Sequence, residues 1–173
     1  MHLWRANRRA WLTAAAVATL GACRAASGGR AQRQAVDTGF TAMQARGQMV
    51  MGVDQYTSTH VFEDLPDGGR IVLERQDAAD SSGIAAIRAH MRSIATDFRA
   101  GDFSQPFQVH DQVVPGTDVM TARKAAIDYR VVDRPRGAEV RIQTSDSAAV
   151  AAIHAFLAFQ RGAHHAAGHE EIQ

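Results

Sequence analysis

Apolar and polar positions alternate from Tyr56 to Glu63, in a stretch rich in β-branched and aromatic side chains. A period of two puts one set of side chains on each face of a strand. The turn signal Leu65-Pro66-Asp67-Gly68-Gly69 follows, and Arg70 to Arg75 alternates again with Ile71 and Leu73 on one face. Together these runs predict a β-hairpin. After the cap-like stretch Asp77 to Ser82 the period changes. Ile84, Ile87, Met91, Ile94 and Phe98 recur at helical spacing, which predicts a helix with one apolar stripe that Gly101 stops.

The second half has the same plan. Ala126 to Asp133 reads as a strand with Ile127, Tyr129 and Val131 on one face. Arg134-Pro135-Arg136-Gly137 is the turn, and Ala138 to Thr144 is a strand aligning Val140 and Ile142. Ser145 or Asp146 caps a helix expected from about Ala148 to Gln160, with Val150, Ile153, Phe156 and Leu157 on its apolar face. The halves share local text, Gly83-Ile84-Ala85-Ala86-Ile87 against Ala149-Val150-Ala151-Ala152-Ile153. The expected fold is α+β: a ββα–ββα pseudo-repeat forming one antiparallel sheet with both helices packed on one face, because neither half buries its apolar face alone. Residues 36–54 are ambiguous, since Gly39, Gly47 and Gly52 interrupt the apolar Phe40, Met43, Met49 and Met51. The connection from Gly101 to Lys124 is long for a compact domain, and long connections are often functional.

The first residues carry a different pattern. Arg5, Arg8 and Arg9 precede an apolar run of 11 residues, Ala10–Leu20, which ends in Leu20-Gly21-Ala22-Cys23. A positive head, a short apolar middle and small residues before a cut site make a secretory signal, and the run is short of the roughly 20 residues of a spanning helix. The single cysteine, Cys23, stands where cleavage would make it the first residue, as in a bacterial lipoprotein that is anchored through lipid on that thiol. Asn7-Arg8-Arg9-Ala10-Trp11-Leu12 resembles a twin-arginine export motif, and both export routes stay open. The expected organisation is a signal peptide (1–22), a flexible tether (23–35), one α+β domain (36–163) and a His-rich tail (164–173). The expected location is the cell envelope, on the periplasmic or cell-surface side. Without the three signal arginines, 16 basic side chains face 18 acidic ones, a net charge of −2. That leaves no basic patch for nucleic acid. With Cys23 carrying lipid, no thiol remains for a disulfide.

In an exported chain without thiols, imidazole and thioether are the soft ligands at hand. Thioether suits Cu(I), and imidazole suits copper, zinc, nickel and haem iron. Seven histidines follow the signal: His60, His90, His110, His154, His164, His165 and His169. His60 is placed on a strand with Tyr56 and Phe62, His90 on the flank of the first helix, His110 in the long connection beside Asp111, and His154 on the exposed flank of the second helix. If the connection folds over the sheet, His60 and His110 meet the thioether of Met51 or Met120. In the tail, His165 and His169 would share a helical face, but Gly162 and Gly168 favour fraying. Catalysis has little support: no nucleophilic cysteine, no Gly-x-Ser-x-Gly elbow and no phosphate-cradling glycine loop. The carboxylates Glu63, Asp64 and Glu74 read as solvated edge residues.

Five segments carry a resemblance: Met51-Gly52-Val53-Asp54-Gln55, Thr59-His60-Val61-Phe62, Leu65-Pro66-Asp67-Gly68-Gly69, Val109-His110-Asp111-Gln112-Val113-Val114-Pro115-Gly116 and Ala152-Ile153-His154-Ala155-Phe156-Leu157-Ala158-Phe159-Gln160. Over roughly Gly47 to His164 the chain resembles an uncharacterised family of small exported bacterial proteins and lipoproteins. Members are sometimes labelled aspartate carbamoyltransferase, but this chain is short for a two-domain transferase and lacks a Ser-Thr-Arg-Thr phosphate-binding run. The resemblance puts His60, His110 and His154 inside shared motifs and names no ligand. The resulting expectation is a lipid-anchored envelope protein that binds a transition metal, copper first, or a metal cofactor, with haem ranked lower. Its candidate ligands are His60, His110 and Met51, then His154, His90 and Met120. The alternatives are an envelope module that binds a protein partner without a cofactor, and a small enzyme using His110 and Asp111.

Overall fold

Both alternating stretches form hairpins. Strand β1 (Ser58–Leu65) pairs antiparallel with β2 (Gly68–Arg75), and β3 (Asp128–Arg134) with β4 (Gly137–Gln143). β2 also pairs with β4, which gives one antiparallel sheet in the order β1-β2-β4-β3. This computed structural model describes residues 39–166. The expected signal 1–22, the tether 23–35, the lipid acceptor Cys23 and the tail histidine His169 lie outside the described residues. No helix among the described residues is long and apolar enough to cross a membrane.

Register decides what faces the core. His60 lies opposite Leu73, Phe62 opposite Ile71, Ile71 opposite Val140, and Tyr129 opposite Ile142. Side chains alternate along a strand, so these residues share one inner face. Two long helices cover it, α2 (Ser81–Ala100) and α5 (Ser147–His164). Asp80 caps α2 by accepting from the Gly83 N–H at 2.9 Å, and Gly101, at φ 80°, ends it. Asp146 caps α5 by accepting from Ala148 and Ala149. Ile87, Ile153, Phe156 and Leu157 are 0–1% exposed. Burying such a side chain contributes roughly 1.5–3 kcal/mol.

Each hairpin is followed by a long helix, so the fold is α+β as expected, and the pseudo-repeat is expressed only as this element order. Each helix lies largely over the other half's hairpin: α2 packs on β3 and β4 as well as β2, and α5 packs on β1 and β2. The halves therefore close each other.

Four local expectations change. First, residues 39–51 form a continuous helix, α1, which runs through Gly47 and stops before Gly52. A Cβ on Gly47 would stand 1.8 Å from the Gln55 amide nitrogen, so this glycine admits a neighbouring side chain where it was expected to break the helix. Second, the 101–124 connection holds two short helices, α3 (Ser104–His110) and α4 (Thr117–Ala122). Gly116, at φ 85°, starts α4 against α5, where a Cβ would meet the Ala152 carbonyl oxygen at 2.1 Å. Third, α5 continues past Gly162 to His164, because its end packs on α1 and β1, with His164 stacked on His60 and the following His165 on Phe40. Fourth, the supposed edge carboxylates are paired. Glu63 is 8% exposed and bonds Arg70, Asp64 receives two 2.9 Å bonds from Arg161, and Glu74 meets Arg134 and Arg136. Tyr56 also sits outside β1, in a 3-10 turn (Gln55–Thr57), and is 62% exposed.

Candidate functional site

Six elements meet around a cavity at the β1 end of the inner face. β1 supplies His60, α1 Met51, α2 His90, α3 His110, and α5 both Gln160 and His164. Apolar side chains, among them Phe62, Leu73 and Phe156, fill the rest of the wall. The cavity has a volume of about 60 Å3. That is room for an ion or a few waters, far below the ~300–1,000 Å3 of pockets for organic ligands. A haem would therefore not enter without displacing an element.

The imidazoles are packed as pairs. His60 and His164 stack with centroids 5.3 Å apart, while His110 meets His164 edge-on at 5.1 Å and 86°. Two glutamines fix their tautomers. His110 Nε2 lies 2.9 Å from Gln160 Oε1, and His164 Nδ1 lies 2.9 Å from Gln55 Oε1. A carboxamide oxygen only accepts, so both ring nitrogens are N–H donors. His110 Nδ1 and His164 Nε2 are then left with lone pairs. His60 Nε2 is buried with no hydrogen-bond partner. An unsatisfied buried nitrogen is costly and calls for a reason.

Burial keeps these rings neutral. It pushes His60 down to about 4, with the neighbouring His90 adding to the lowering, and His90 itself to about 4. His164 falls to about 3, through burial first and then through His60, His110 and His165. Burial also lowers His110, opposed by its bond to Gln160 and helped by the Arg46 charge. Arg46 is held by α3 itself, since its Nε donates to the Val109 carbonyl at 2.8 Å. At neutral pH the cluster therefore offers uncharged imidazole, the form that ligates metal.

Of the residues expected to form a site, His60, His90, His110 and Met51 are brought together, and His154 and Met120 are not. Nε2 of His154 lies 3.0 Å from the Leu65 carbonyl and 2.9 Å from that of Gly68. It donates to both and ties α5 to the β1–β2 turn, where the sequence placed it on an exposed flank. Met120 is 0% exposed in the core, where α4 packs on α5. His164, assigned to the tail, belongs to the cavity. Its signal was legible: the stripe Ile153, Phe156, Leu157 continues at helical spacing into Gln160 and His164, polar residues on a buried face. Asp111 is exposed while His110 is buried, so the two form no catalytic pair.

Among the described residues, no three His, Cys, Asp or Glu side chains stand close enough to hold a metal ion together. The arrangement instead offers imidazoles in twos, with a thioether in the same wall. A second, wider groove lined by Arg99, Lys124 and Asp128 is a weaker candidate. Its cations are already engaged, Arg99 by the Tyr129 carbonyl and Lys124 by the Ala100 carbonyl at 2.9 Å. No protein-family model, no curated protein and no solved structure matches this chain.

Proposed function

We propose that this is a lipid-anchored protein of the cell envelope that binds a transition metal, copper first, in the histidine-lined cavity. The observation that carries the reading is the pair of glutamine oxygens. Each holds one ring nitrogen of His110 or His164 and leaves the other nitrogen for a ligand. Metal-binding imidazoles are commonly oriented in this way by an acceptor on the far nitrogen. The neutral state of the rings, the unpartnered Nε2 of His60 and the thioether of Met51 support the same reading. The envelope part rests on the export pattern and on Cys23.

The test is a titration of the purified full chain with Cu(I), Cu(II), Zn(II) and haem, followed by the variant His60→Leu/His110→Leu/His164→Leu. Copper retention tighter than about 1 μM, roughly −8 kcal/mol, that is lost in the variant supports the proposal. Equal retention by the variant overturns it. Anchoring is tested separately by Cys23→Ala, which should move the protein from the membrane fraction to the soluble fraction.

The alternative, a cofactor-free interaction module, draws on Phe107 and Val113. These are 48% and 72% exposed apolar side chains in and just after α3. Co-purification of a partner in metal-free buffer, lost on Phe107→Ser, would favour it.

A further inference from the structure

Resting on the metal-binding reading, we infer that the cavity selects a soft monovalent cation, Cu(I) or its analogue Ag(I), over Zn(II) and Cu(II), with His110, His164 and Met51 as ligands. The first ground is charge. No Asp, Glu, Lys or Arg is among the described residues that line the cavity. A cation placed there is neutralised by nothing in the wall. The cost of taking an ion out of water rises with the square of its charge, so a divalent ion costs about four times as much as a monovalent one. Neutral ligands alone offset the smaller cost more readily than the larger.

The second ground is ligand type and number. The wall offers a thioether, which favours Cu(I), and the edge-on imidazoles of His110 and His164 at a centroid separation of 5.1 Å. A ring separation near 5 Å suits two imidazoles on one ion at bond lengths of about 2.0–2.1 Å. Two imidazoles and a thioether complete the shell of a low-coordinate ion such as Cu(I). Zn(II) prefers a fourth ligand, which in open sites is water, and Cu(II) prefers tetragonal nitrogen and oxygen donors. A small space walled mainly by Phe62, Leu73, Met91 and Phe156 has no carboxylate oxygen to complete either shell.

The third ground is the placement of Met51. It closes α1, the element packed on the cavity from outside the sheet layer, and is only partly buried. The thioether therefore reaches the cavity from the half-exposed end of α1, while His110 and His164 reach it from α3 and α5, which gives the soft ligand a part in capture.

The experiment is an anaerobic competition of the full chain against a chromophoric Cu(I) chelator. Ag(I), Zn(II) and Cu(II) are titrated in parallel, with His169→Ala as the control for tail binding. One equivalent of Cu(I) or Ag(I) should be held at least about 100-fold more tightly than Zn(II) or Cu(II). Met51→Leu conserves volume and is expected to keep the fold. It should narrow that gap by about tenfold or more while an unchanged thermal melt reports intact packing. Zn(II) or Cu(II) held as tightly as Cu(I), or a gap that Met51→Leu leaves untouched, overturns the selectivity and leaves metal binding standing. Retention of none of the four ions ends both.

Discussion

The two ends of the layer between sheet and helices use the same kinds of element to different effect. Under β3 and β4 the space is filled by Tyr129, Ile142 and Val140, all at most 1% exposed, and the Tyr129 ring meets Phe98, at the border between the two ends, edge to face. Under β1 the equivalent space holds four imidazoles, two of them fixed by glutamines, around a void. The closed end has one buried polar atom without a partner, the Tyr129 hydroxyl, whose ionisation burial pushes up. The open end has His60 Nε2 and the Gln105 oxygen in a single wall. A core built only for stability would carry leucine at these places. The difference teaches where stability has been given up, and stability given up in a concave, neutral, nitrogen-rich space marks the site.

Acid should separate the two ends most strongly. The folded values near 4 for His60 and His90 and near 3 for His164 lie below the ~6.5 of an unfolded imidazole. The unfolded chain then binds more protons. The contribution of the neutral rings is therefore complete above about pH 6.5 and is lost as pH falls towards 4, at about 1.4 kcal/mol per pH unit for each group. Urea midpoints of the metal-free chain at pH 7 and 4.5 measure it. A midpoint that stays put would mean the rings are open to water, and the contrast between the ends would collapse.

Next in size is Ile142→Ala at the closed end, which should lower stability by about 2–5 kcal/mol in the same urea assay and leave copper stoichiometry unchanged. His154→Ala removes a donor shared by two carbonyls and should cost about 1–2 kcal/mol, again with copper affinity intact. A parallel loss of copper in that variant would extend the site to the β1–β2 turn. His60→Leu has the smallest expected effect on stability, within about 1 kcal/mol of the parent and on the stabilising side, because it deletes an orphaned nitrogen. Destabilisation of several kcal/mol would make His60 a structural residue and erase the distinction it supports.

The legibility of these two ends in the sequence also differed. The closed end follows from periodicity: Ile127 and Tyr129 alternate, Val140 and Ile142 alternate, and both patterns report burial directly. The open end needs long-range information. His60, His110 and Met51 were marked by residue type, but nothing local brings α3 to the cavity that β1 lines, because its place there depends on how Gly116 and the short α4 pack the connection against α5. His164 was missed for a simpler reason. Gly162 reads as a breaker, yet the packing of the helix end on α1 and β1 outweighs the roughly 1 kcal/mol that a helical glycine costs. His154 was misplaced because an imidazole on a helix flank shows no sign, in sequence, of the two carbonyls waiting across the hairpin turn.

The exchange of helices between the two hairpins also sets the order in which the molecule is finished. Arg161 of α5 bonds the Phe62 carbonyl of β1 across 99 residues of chain. At a synthesis rate of roughly 5–20 residues per second, the inner face of β1 waits on the order of ten seconds before the helix that covers it has been made. Gln160 and His164 arrive with that helix. The cavity is thus complete only after residue 164 has been made. Whatever occupies it meets a protein whose synthesis has already passed that residue, and the early hairpin spends the interval with an apolar face that α2 covers only in part.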